Sequence, residues 1–176
     1  DYLKVLTDYQ DRIVYSKVLP ARDALHSPLQ NNLYPSLEKR LKEAGLLPLY
    51  THQAKAIDKI LEGNNVIIST PSASGKSLCY NIPVLNSLLQ DKNSCAFYIF
   101  PTKALAQDQM KSLVQLASPS LLKEREMAAF DGDTPPEERA IIKKTARIIL
   151  TNPDMLHLGI LPNHATWSAF IRHLKY

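Results

Sequence analysis

The sequence predicts an α/β fold in which helices cover both faces of an open, doubly wound parallel sheet. From residue 66 onward, short apolar segments rich in β-branched residues alternate with helical patterns. These segments lack the polar alternation of a half-exposed sheet, so both of their faces are expected to be buried. A loop ending in Gly75-Lys76-Ser77 lies between the first predicted strand and the next helix. Strand, loop and helix in this order are typical of a phosphate-binding loop.

Composition is that of a globular domain with a slight positive charge. The chain has 176 residues, 45% of them hydrophobic and 22% charged, which suffices for one domain with a core. The net charge of +4 permits a polyanionic partner without requiring one, and a solvated surface with a small positive excess is the alternative interpretation.

No feature of the sequence indicates a membrane or an oxidising environment. No apolar run reaches the roughly 18–20 residues of a membrane span, so we expect no membrane partner. Cys79 and Cys95 lie in apolar contexts without metal-binding spacing and are expected to be buried thiols. We therefore expect a cytoplasmic protein, or a nuclear one in a eukaryote. Because the first residue is Asp1 rather than Met, we expect an excised segment of a longer chain.

Helices are expected before the sheet. Residues 1–35 mix short apolar pieces with polar and proline positions, which favours an extension with one short helix and a long connection. A helix is predicted over 36–44, capped by Ser36 and ended by Gly45. A second helix is predicted from about residue 52 to 62. The predicted division is an N-terminal extension with short helices over 1–45 and a partial nucleotide-binding domain over 46–176.

The alternating half of the chain gives four strands and three helices. A capping signal opens the last of these helices, because Thr134 is a candidate N-cap, Pro135 fits the first turn and Glu137 completes a capping box. The predicted strands are 66–70, 95–100, 126–130 and 147–151, and the predicted helices are 78–89, 103–116 and 135–144.

The phosphate loop departs from the strict GxxxxGK[ST] pattern at one position, since Thr70 replaces the first glycine. Backbone N–H groups of the loop and the positive end of the following helix dipole can face a polyphosphate. Lys76 would reach the outer phosphates, and Ser77 would offer its hydroxyl to Mg²⁺. A chance surface loop is the alternative interpretation. The loop residues predicted to bind the nucleotide are Thr70, Pro71, Ser72, Ala73, Ser74, Gly75, Lys76 and Ser77.

Three further polar loops follow the other predicted strands, at 101–109, 131–135 and 151–156. The carboxyl ends of parallel strands meet at one rim of a sheet, and ligands of open α/β sheets bind there. Each loop is also partly a helix cap or a turn. Together they predict a second polar surface beside the phosphate loop.

The order of these segments resembles the first RecA-like domain of superfamily 2 helicases, of the DEAD/DEAH-box type. The motif sequences are most similar to those of the mitomycin repair factor A type of DNA helicases and its fungal RecQ-four-like relatives. In these, LYxHQ, TPxASGKSLCY, FPTKALAQDQ, DGDTP and TNPDMLHxGILP occur in this order, and the resemblance spans about Leu19 to Tyr176. The segments that carry it are Leu49-Tyr50-Thr51-His52-Gln53, Thr70–Ser77, Pro101–Ala106, Asp131-Gly132-Asp133 and Thr151–Leu156.

The resemblance implies an ATP- and Mg²⁺-dependent helicase that moves along one strand of nucleic acid, with DNA favoured by the subgroup. Gln53 would read the adenine edge, and Tyr50 would stack on the base unless it is a half-buried core tyrosine. The residues implied to contact the sugar-phosphate backbone of the single strand are Thr102, Lys103, Thr151 and Asn152. Such contacts are independent of base sequence and weaken with salt.

The same resemblance implies parts that lie outside these residues. The family has a DExH-type carboxylate pair on the next strand, which we expect after Tyr176, and a second RecA-like domain. We therefore expect the 176 residues alone to be inactive as an ATPase. A competing interpretation makes Asp131 the metal-ordering aspartate, because it follows the apolar run Met127–Phe130. For Trp167, which lies in an apolar helix, we expect core packing rather than a role in a site.

Two other classes of function stay open from the residues alone. One is a different P-loop enzyme, such as a small kinase or GTPase, although no guanine-binding NKxD signature occurs. The other is an interaction module with a vestigial phosphate loop, against which the intact Gly75-Lys76-Ser77 argues. The sequence does not fix the direction of movement, the oligomeric state or the biological pathway.

Overall fold

A parallel sheet of three strands lies at the centre of the part of the chain that the structure describes. The computed structural model describes residues 23–71, 73–117 and 119–176, together with positions 15, 17, 18 and 20. Strands β1 (Ala96–Ile99), β2 (Met127–Ala129) and β3 (Ile148–Thr151) are ordered β1-β3-β2. In register, Ile148 of β3 lies opposite Ala96 on one side and Met127 on the other. The predicted parallel sheet is confirmed for these three strands.

Helices flank the strands as the alternating pattern predicted. The helix bounds are α1 Pro35–Glu43, α2 Thr51–Leu61, α3 Lys76–Gln90, α4 Lys103–Ala117, α5 Pro136–Thr145 and α6 Ser168–Arg172. Helix α2 carries His52 and Gln53 in its first turn, and α3 begins directly after Gly75. Short helical turns form parts of the connections, at Glu124–Glu126, Pro153–Met155, Leu156–Ile160 and His164–Trp167.

Both faces of the sheet are covered by apolar side chains. Successive strand residues point to opposite faces. Accordingly, Ile148 and Leu150 of β3 join one hydrophobic cluster, and Ile149 between them joins another. The first cluster includes residues of α1 to α4, and the second is centred on Phe130 and Trp167, whose rings meet edge to face at 4.8 Å. The core role predicted for Trp167 is confirmed, since 1% of it is exposed.

The segment Val66–Thr70 is not a strand, which corrects the prediction. It is extended but has no pairing partner among the strands of the described sheet, and Ile67 is 97% exposed. An apolar β-branched run becomes a strand only where a neighbouring edge accepts its backbone hydrogen bonds. Among the described residues, the edge of β1 away from β3 contacts the stretch after α6, where Cys95 bridges Leu174 and the Phe97 N–H donates to the Tyr176 carbonyl.

Two predicted helix caps are also wrong. Helix α1 begins at Pro35 after Tyr34, so Ser36 lies inside the first turn and does not cap it. Helix α5 begins at Pro136 after Pro135, and the Thr134 hydroxyl instead accepts the Asp131 N–H at 2.9 Å. A hydroxyl that closes the preceding turn is not available to cap the helix. The short helix predicted within residues 1–35 stays a prediction, because residues 1–14, 16, 19, 21 and 22 lie outside the described residues.

The two thiols lie in the interior. Cys79 and Cys95 are free and buried, as predicted, and burial raises the pKa of each thiol above its usual value. Among the helices that the structure describes, none has the length and apolar character needed to cross a bilayer.

Candidate nucleotide and nucleic-acid site

The phosphate loop turns sharply into helix α3 at Gly75. This glycine has a φ of +72° and precedes the first helical residue, Lys76. The left-handed conformation favours glycine here, and a β-carbon would also force the amide end of the Gln53 side chain to move. Ala73 also has a positive φ, +60°, a conformation that few non-glycine residues adopt. Ser72, predicted to bind the nucleotide, lies outside the described residues.

The Lys76 ammonium folds back over the loop. Its Nζ donates to the carbonyl oxygens of Thr70 at 2.9 Å and of Pro71 at 2.7 Å. The hydroxyls of Thr70 and Ser74 are hydrogen-bonded at 2.6 Å, which closes the loop from the other side. An anion placed at the loop would exchange these carbonyl partners of Lys76 for negatively charged oxygens, which bind an ammonium more strongly.

A cavity of about 700 Å³ opens beside the loop. Ala73, Ser74, Gly75, Lys76 and Ser77 form one of its walls. The rest of its lining comes from the extended segment before the loop, from two helices and from the residue after β1, namely Ile68, Tyr80, Phe100, Leu105 and Gln109. The structure therefore places the described phosphate-binding candidates from Ala73 to Ser77 around one concave space, at the carboxyl end of β1.

Gln53 joins the start of α2 to the phosphate loop. Its side chain is buried, its Oε1 accepts the Tyr50 N–H at 2.9 Å and its Nε2 donates to the Gly75 carbonyl at 3.1 Å. The amide predicted to read adenine is thus held against the loop that would carry the phosphates. Nε2 has a second proton, which this contact leaves for another acceptor.

An aromatic stack, defined as the rings of His26, Tyr50 and His52, lies next to Gln53. The Tyr50 ring is 5.1 Å from that of His26 and 5.9 Å from that of His52, and both pairs are nearly parallel. Tyr50 is 42% exposed, so it is not a core residue. His52 Nε2 lies 3.0 Å from the Ser74 carbonyl oxygen. Sequence reasoning missed the two histidines, since one aromatic residue 24 positions before another gives no periodic signal.

The rim residues Thr102 and Lys103 lie at the start of α4. The Thr102 hydroxyl accepts the Leu105 N–H at 3.2 Å and caps the helix. The Lys103 ammonium donates to the Asp133 carboxylate at 2.7 Å, and the side chains of Lys103 and Asp133 are 45% and 82% exposed. This hydrogen bond to Asp133 raises the pKa of Lys103 above its usual value. The acidic partner of Lys103 was not predicted from the sequence.

The two candidates at the end of β3, Thr151 and Asn152, differ in burial and in their hydrogen bonds. Thr151 is 1% exposed, and its hydroxyl donates to the Phe130 carbonyl at 2.8 Å, so the predicted contact of this hydroxyl with a phosphate would require that bond to break. Asn152 is half-buried, and its Oδ1 accepts the Met155 N–H at 2.8 Å at the start of a helical turn. Asn152 therefore remains the more accessible of the two.

The loop after β2 is a closed turn rather than an open metal ligand. The Asp131 carboxylate accepts the Asp133 N–H at 2.8 Å, and Arg139 donates to the carbonyl oxygens of Asp131, Gly132 and Thr134. Within the part of the chain that the structure describes, no three side chains of His, Cys, Asp or Glu are grouped to hold a metal ion. This geometry favours the turn over the competing metal-ordering role of Asp131.

Comparison with known proteins identifies a family to which this chain is similar. The DEAD/DEAH box helicase family matches residues 50–176. Over 174 residues, the chain is 45% identical to the ATP-dependent helicase HRQ1 of Saccharomyces cerevisiae, covering 98% of this chain and 16% of that protein. It is 39% identical to the uncharacterized ATP-dependent helicase YprA of Bacillus subtilis, covering 94% of this chain and 22% of that one.

A solved structure shares the architecture. The crystal structure of the DUF1998 helicase MrfA bound to DNA and AMPPNP superimposes with a TM-score of 0.85 at 38% identity. The match covers 97% of this chain and 25% of that protein. The chain thus has the RecA-like fold of this neighbour and spans a quarter or less of the length of each of these three proteins.

Proposed function

The chain belongs to the DEAD/DEAH box helicase family, and from this premise we propose that it is the ATP-binding, first RecA-like domain of an ATP-dependent helicase. In the whole protein this domain would couple ATP hydrolysis to movement along one strand of nucleic acid. The observation that best supports this proposal is the phosphate loop. Its Gly75 precedes α3, its Lys76 and Ser77 begin that helix, and a cavity of about 700 Å³ lies beside them. This arrangement matches what a polyphosphate requires, namely free backbone N–H groups, a helix N-terminus and an ammonium group.

The nucleotide would lie between α2 and the phosphate loop. The phosphates would occupy the cavity wall from Ala73 to Ser77, and Lys76 would leave its carbonyl partners to bind the outer phosphates. Gln53 would bind the adenine edge through the second proton of Nε2. The contact of Gln53 with the Gly75 carbonyl supports this assignment, because it holds the base reader at a fixed position relative to the loop.

Mg²⁺ fits this site through Ser77. Ser77 lines the same cavity as Lys76, and one hydroxyl ligand would suit a cation that keeps most of its ligands as water and phosphate oxygens. Bound there, the ion would neutralise charge on the phosphates. The sequence contains no Asp-Glu pair of the DExH type. We therefore expect these 176 residues alone to bind ATP but to hydrolyse very little of it.

A single strand of nucleic acid, DNA by analogy with the DNA-bound MrfA, would cross the rim formed by the loops after β1 and β3. Lys103 and Thr102 are exposed at the start of α4, and Asn152 is accessible after β3. Thr151 would then contact the nucleic acid through its backbone N–H, because its hydroxyl donates to the Phe130 carbonyl. Contacts of this kind hold the sugar-phosphate backbone and do not read bases.

Two further proposals concern the domain boundary and the cellular location. We propose a boundary near residue 45 between an N-terminal extension and the nucleotide-binding domain, although Leu37 and Leu41 of α1 pack in the same core as α3. We also propose a cytoplasmic location, or a nuclear one in a eukaryote. The free, buried thiols support it, because reducing compartments keep cysteines in this form.

Titration with a fluorescent ATP analogue and Mg²⁺ tests the proposed function. Lys76→Ala removes the ammonium from the phosphates and is expected to weaken binding about tenfold or more. Lys92→Ala is the matched control, since this exposed lysine follows the far end of α3. Unchanged affinity in Lys76→Ala would favour a vestigial loop. A clear preference for guanine over adenine nucleotides would instead assign the chain to another class of P-loop enzyme.

A further inference from the structure

We propose that His52 is a positioning residue for the phosphate loop, and that the N-terminal strap, defined as residues 23–31, holds His52 in place through the aromatic stack. This inference rests on the proposed ATP binding and adds a role to a residue outside the phosphate loop. It depends on three observations: the hydrogen bond of His52 to the loop, the stack itself and the docking of the strap on α2.

The first observation is a pair of hydrogen bonds from the first turn of α2 to successive loop carbonyls. His52 Nε2 lies 3.0 Å from the Ser74 oxygen, and Gln53 Nε2 lies 3.1 Å from the Gly75 oxygen. A carbonyl oxygen only accepts, so His52 must carry its proton on Nε2 in this contact. Adjacent side chains of one rigid helix therefore fix two consecutive peptide units of the loop.

These two bonds determine where the loop N–H groups point. A peptide unit is planar and trans, so its N–H points away from the side to which its carbonyl points. With the carbonyls of Ser74 and Gly75 turned toward α2, the N–H groups of Gly75 and Lys76 turn away from it. A phosphate would find both donors already oriented, without the cost of ordering a glycine-containing loop on binding.

The second observation is that the imidazole of His52 is itself supported. Its ring stacks on Tyr50 with an interplanar angle of 10°, and Tyr50 stacks on His26 with an angle of 19°. Parallel rings at these separations limit the rotation of each side chain. His26 and Tyr50 also form an isolated antiparallel bridge between their backbones. The position of His52 thus depends on a residue of the strap.

The third observation is that the strap is hydrogen-bonded near both ends to α2 or to the residues directly before it. Near its start, the Thr51 N–H donates to the Leu25 carbonyl at 2.9 Å, and the Ser27 N–H donates to the Leu49 carbonyl at 3.1 Å. Near its end, Asp58 accepts backbone N–H groups of Gln30 and Asn31 at 3.0–3.1 Å. Residues that precede the helicase family match at residue 50 therefore form part of the support for the loop.

The test measures binding of a fluorescent ATP analogue and of adenosine by the full-length protein. His52→Leu removes the donor and is expected to weaken ATP binding about tenfold while adenosine affinity changes less than about twofold. His52→Gln keeps a donor at similar reach and is expected to restore ATP affinity. His26→Ala, at an exposed residue, is expected to weaken ATP binding by a smaller factor than His52→Leu does, and to weaken adenosine binding less than ATP binding.

The outcomes separate the possible failures. ATP affinity equal to the wild type in His52→Leu would overturn the positioning role, and so would a parallel fall for ATP and adenosine, which would assign His52 to the base. Loss of ATP binding in His52→Gln equal to that in His52→Leu would contradict it too. If His52→Leu loses its thermal transition, His26→Ala decides by the same comparison. Failure of the wild type itself to bind ATP would overturn the proposed function instead.

Discussion

The Lys103 ammonium and the Asp133 carboxylate meet at 2.7 Å, although they are 30 residues apart in the chain and follow β1 and β2, the two strands on either side of β3. A phosphate of bound nucleic acid would need the same ammonium. The two anions therefore compete, and Asp133 would lower the affinity of the rim for any polyanion. Exposed ion pairs of this kind are weak, so the competition is expected to be modest.

Asp133→Asn is predicted to strengthen binding of a single-stranded oligonucleotide about twofold at low salt, because an exposed pair contributes little. Fluorescence anisotropy at several salt concentrations measures it. The matched control is Glu62→Gln, which breaks the similar 2.7 Å pair with Lys59 at the far end of α2. Equal gains in both variants would reduce the effect to net charge, and weaker binding by Asp133→Asn would contradict the competition.

Single residues also show which contacts could be predicted from the sequence and which could not. Lys76 and Ser77 could be predicted because their spacing within one short motif is typical of a phosphate-binding loop, whereas Gln53 was predicted from the family resemblance alone. His52 and Asp133 were not recognised, because their contacts join residues 22 and 30 positions apart without any periodic pattern. Thr134 was assigned to the wrong partner, since a hydroxyl can close the turn before it or cap the helix after it, and local sequence allows both.

Among the elements, the strap depends on one buried carboxylate. Burial by itself would raise the pKa of Asp58, but the N–H donors of Asn31 and Gln30 outweigh it and hold this pKa below the usual 3.8. A group whose pKa falls on folding stabilises the folded state above its unfolded pKa. That stabilisation is lost as the pH falls through the folded value. Asp58 is therefore expected to hold the strap at neutral pH and to release it in acid below about pH 3.8.

Asp58→Asn is predicted to lower the free energy of unfolding by about 2 kcal/mol at pH 7, typical of a lost charged acceptor. Urea unfolding from pH 7 to pH 3 measures it, and the difference from the wild type should shrink as the pH drops below 3.8. Asp91→Asn is the control, since Asp91 also has a lowered pKa but caps an exposed turn after α3. A difference that persists unchanged to pH 3 would contradict the role of Asp58.

The predicted helices agree with the structure where the evidence for them lies within one short segment of the sequence. Helices α2, α4 and α5 begin and end close to their predicted bounds, because apolar periodicity and glycine or proline boundaries are written within each segment. The run Val66–Thr70 has the composition of a strand, yet it lacks a paired edge in the described sheet. Pairing is a property of two segments distant in the chain, so composition alone could not decide it.

For the whole molecule, stability is concentrated around β3. This strand is paired on both sides, and its four residues are each at most 1% exposed, between the two hydrophobic clusters. The phosphate loop is fixed at one end to α3, which packs in the larger cluster, while its other end continues from the unpaired segment 66–70. The phosphate loop thus joins a helix of the larger hydrophobic cluster to a segment that has no partner in the described sheet.

Hydrogen exchange of the 176-residue chain is expected to reveal this gradient. Amides of β3 open only with global unfolding, whereas those of 66–70 have no ladder partner, so their exchange rates should differ by about a thousandfold or more. Mass spectrometry of peptides covering 64–71 and 146–152 measures it, with a peptide from α3 as the reference for a buried helix. Adding ATP and Mg²⁺ should slow exchange at Gly75 and Lys76, whose N–H groups would bind phosphate, but leave Ile67 unprotected. Protection of 66–70 equal to that of β3 without nucleotide would mean that this segment is paired, and the uneven support inferred for the loop would then be wrong.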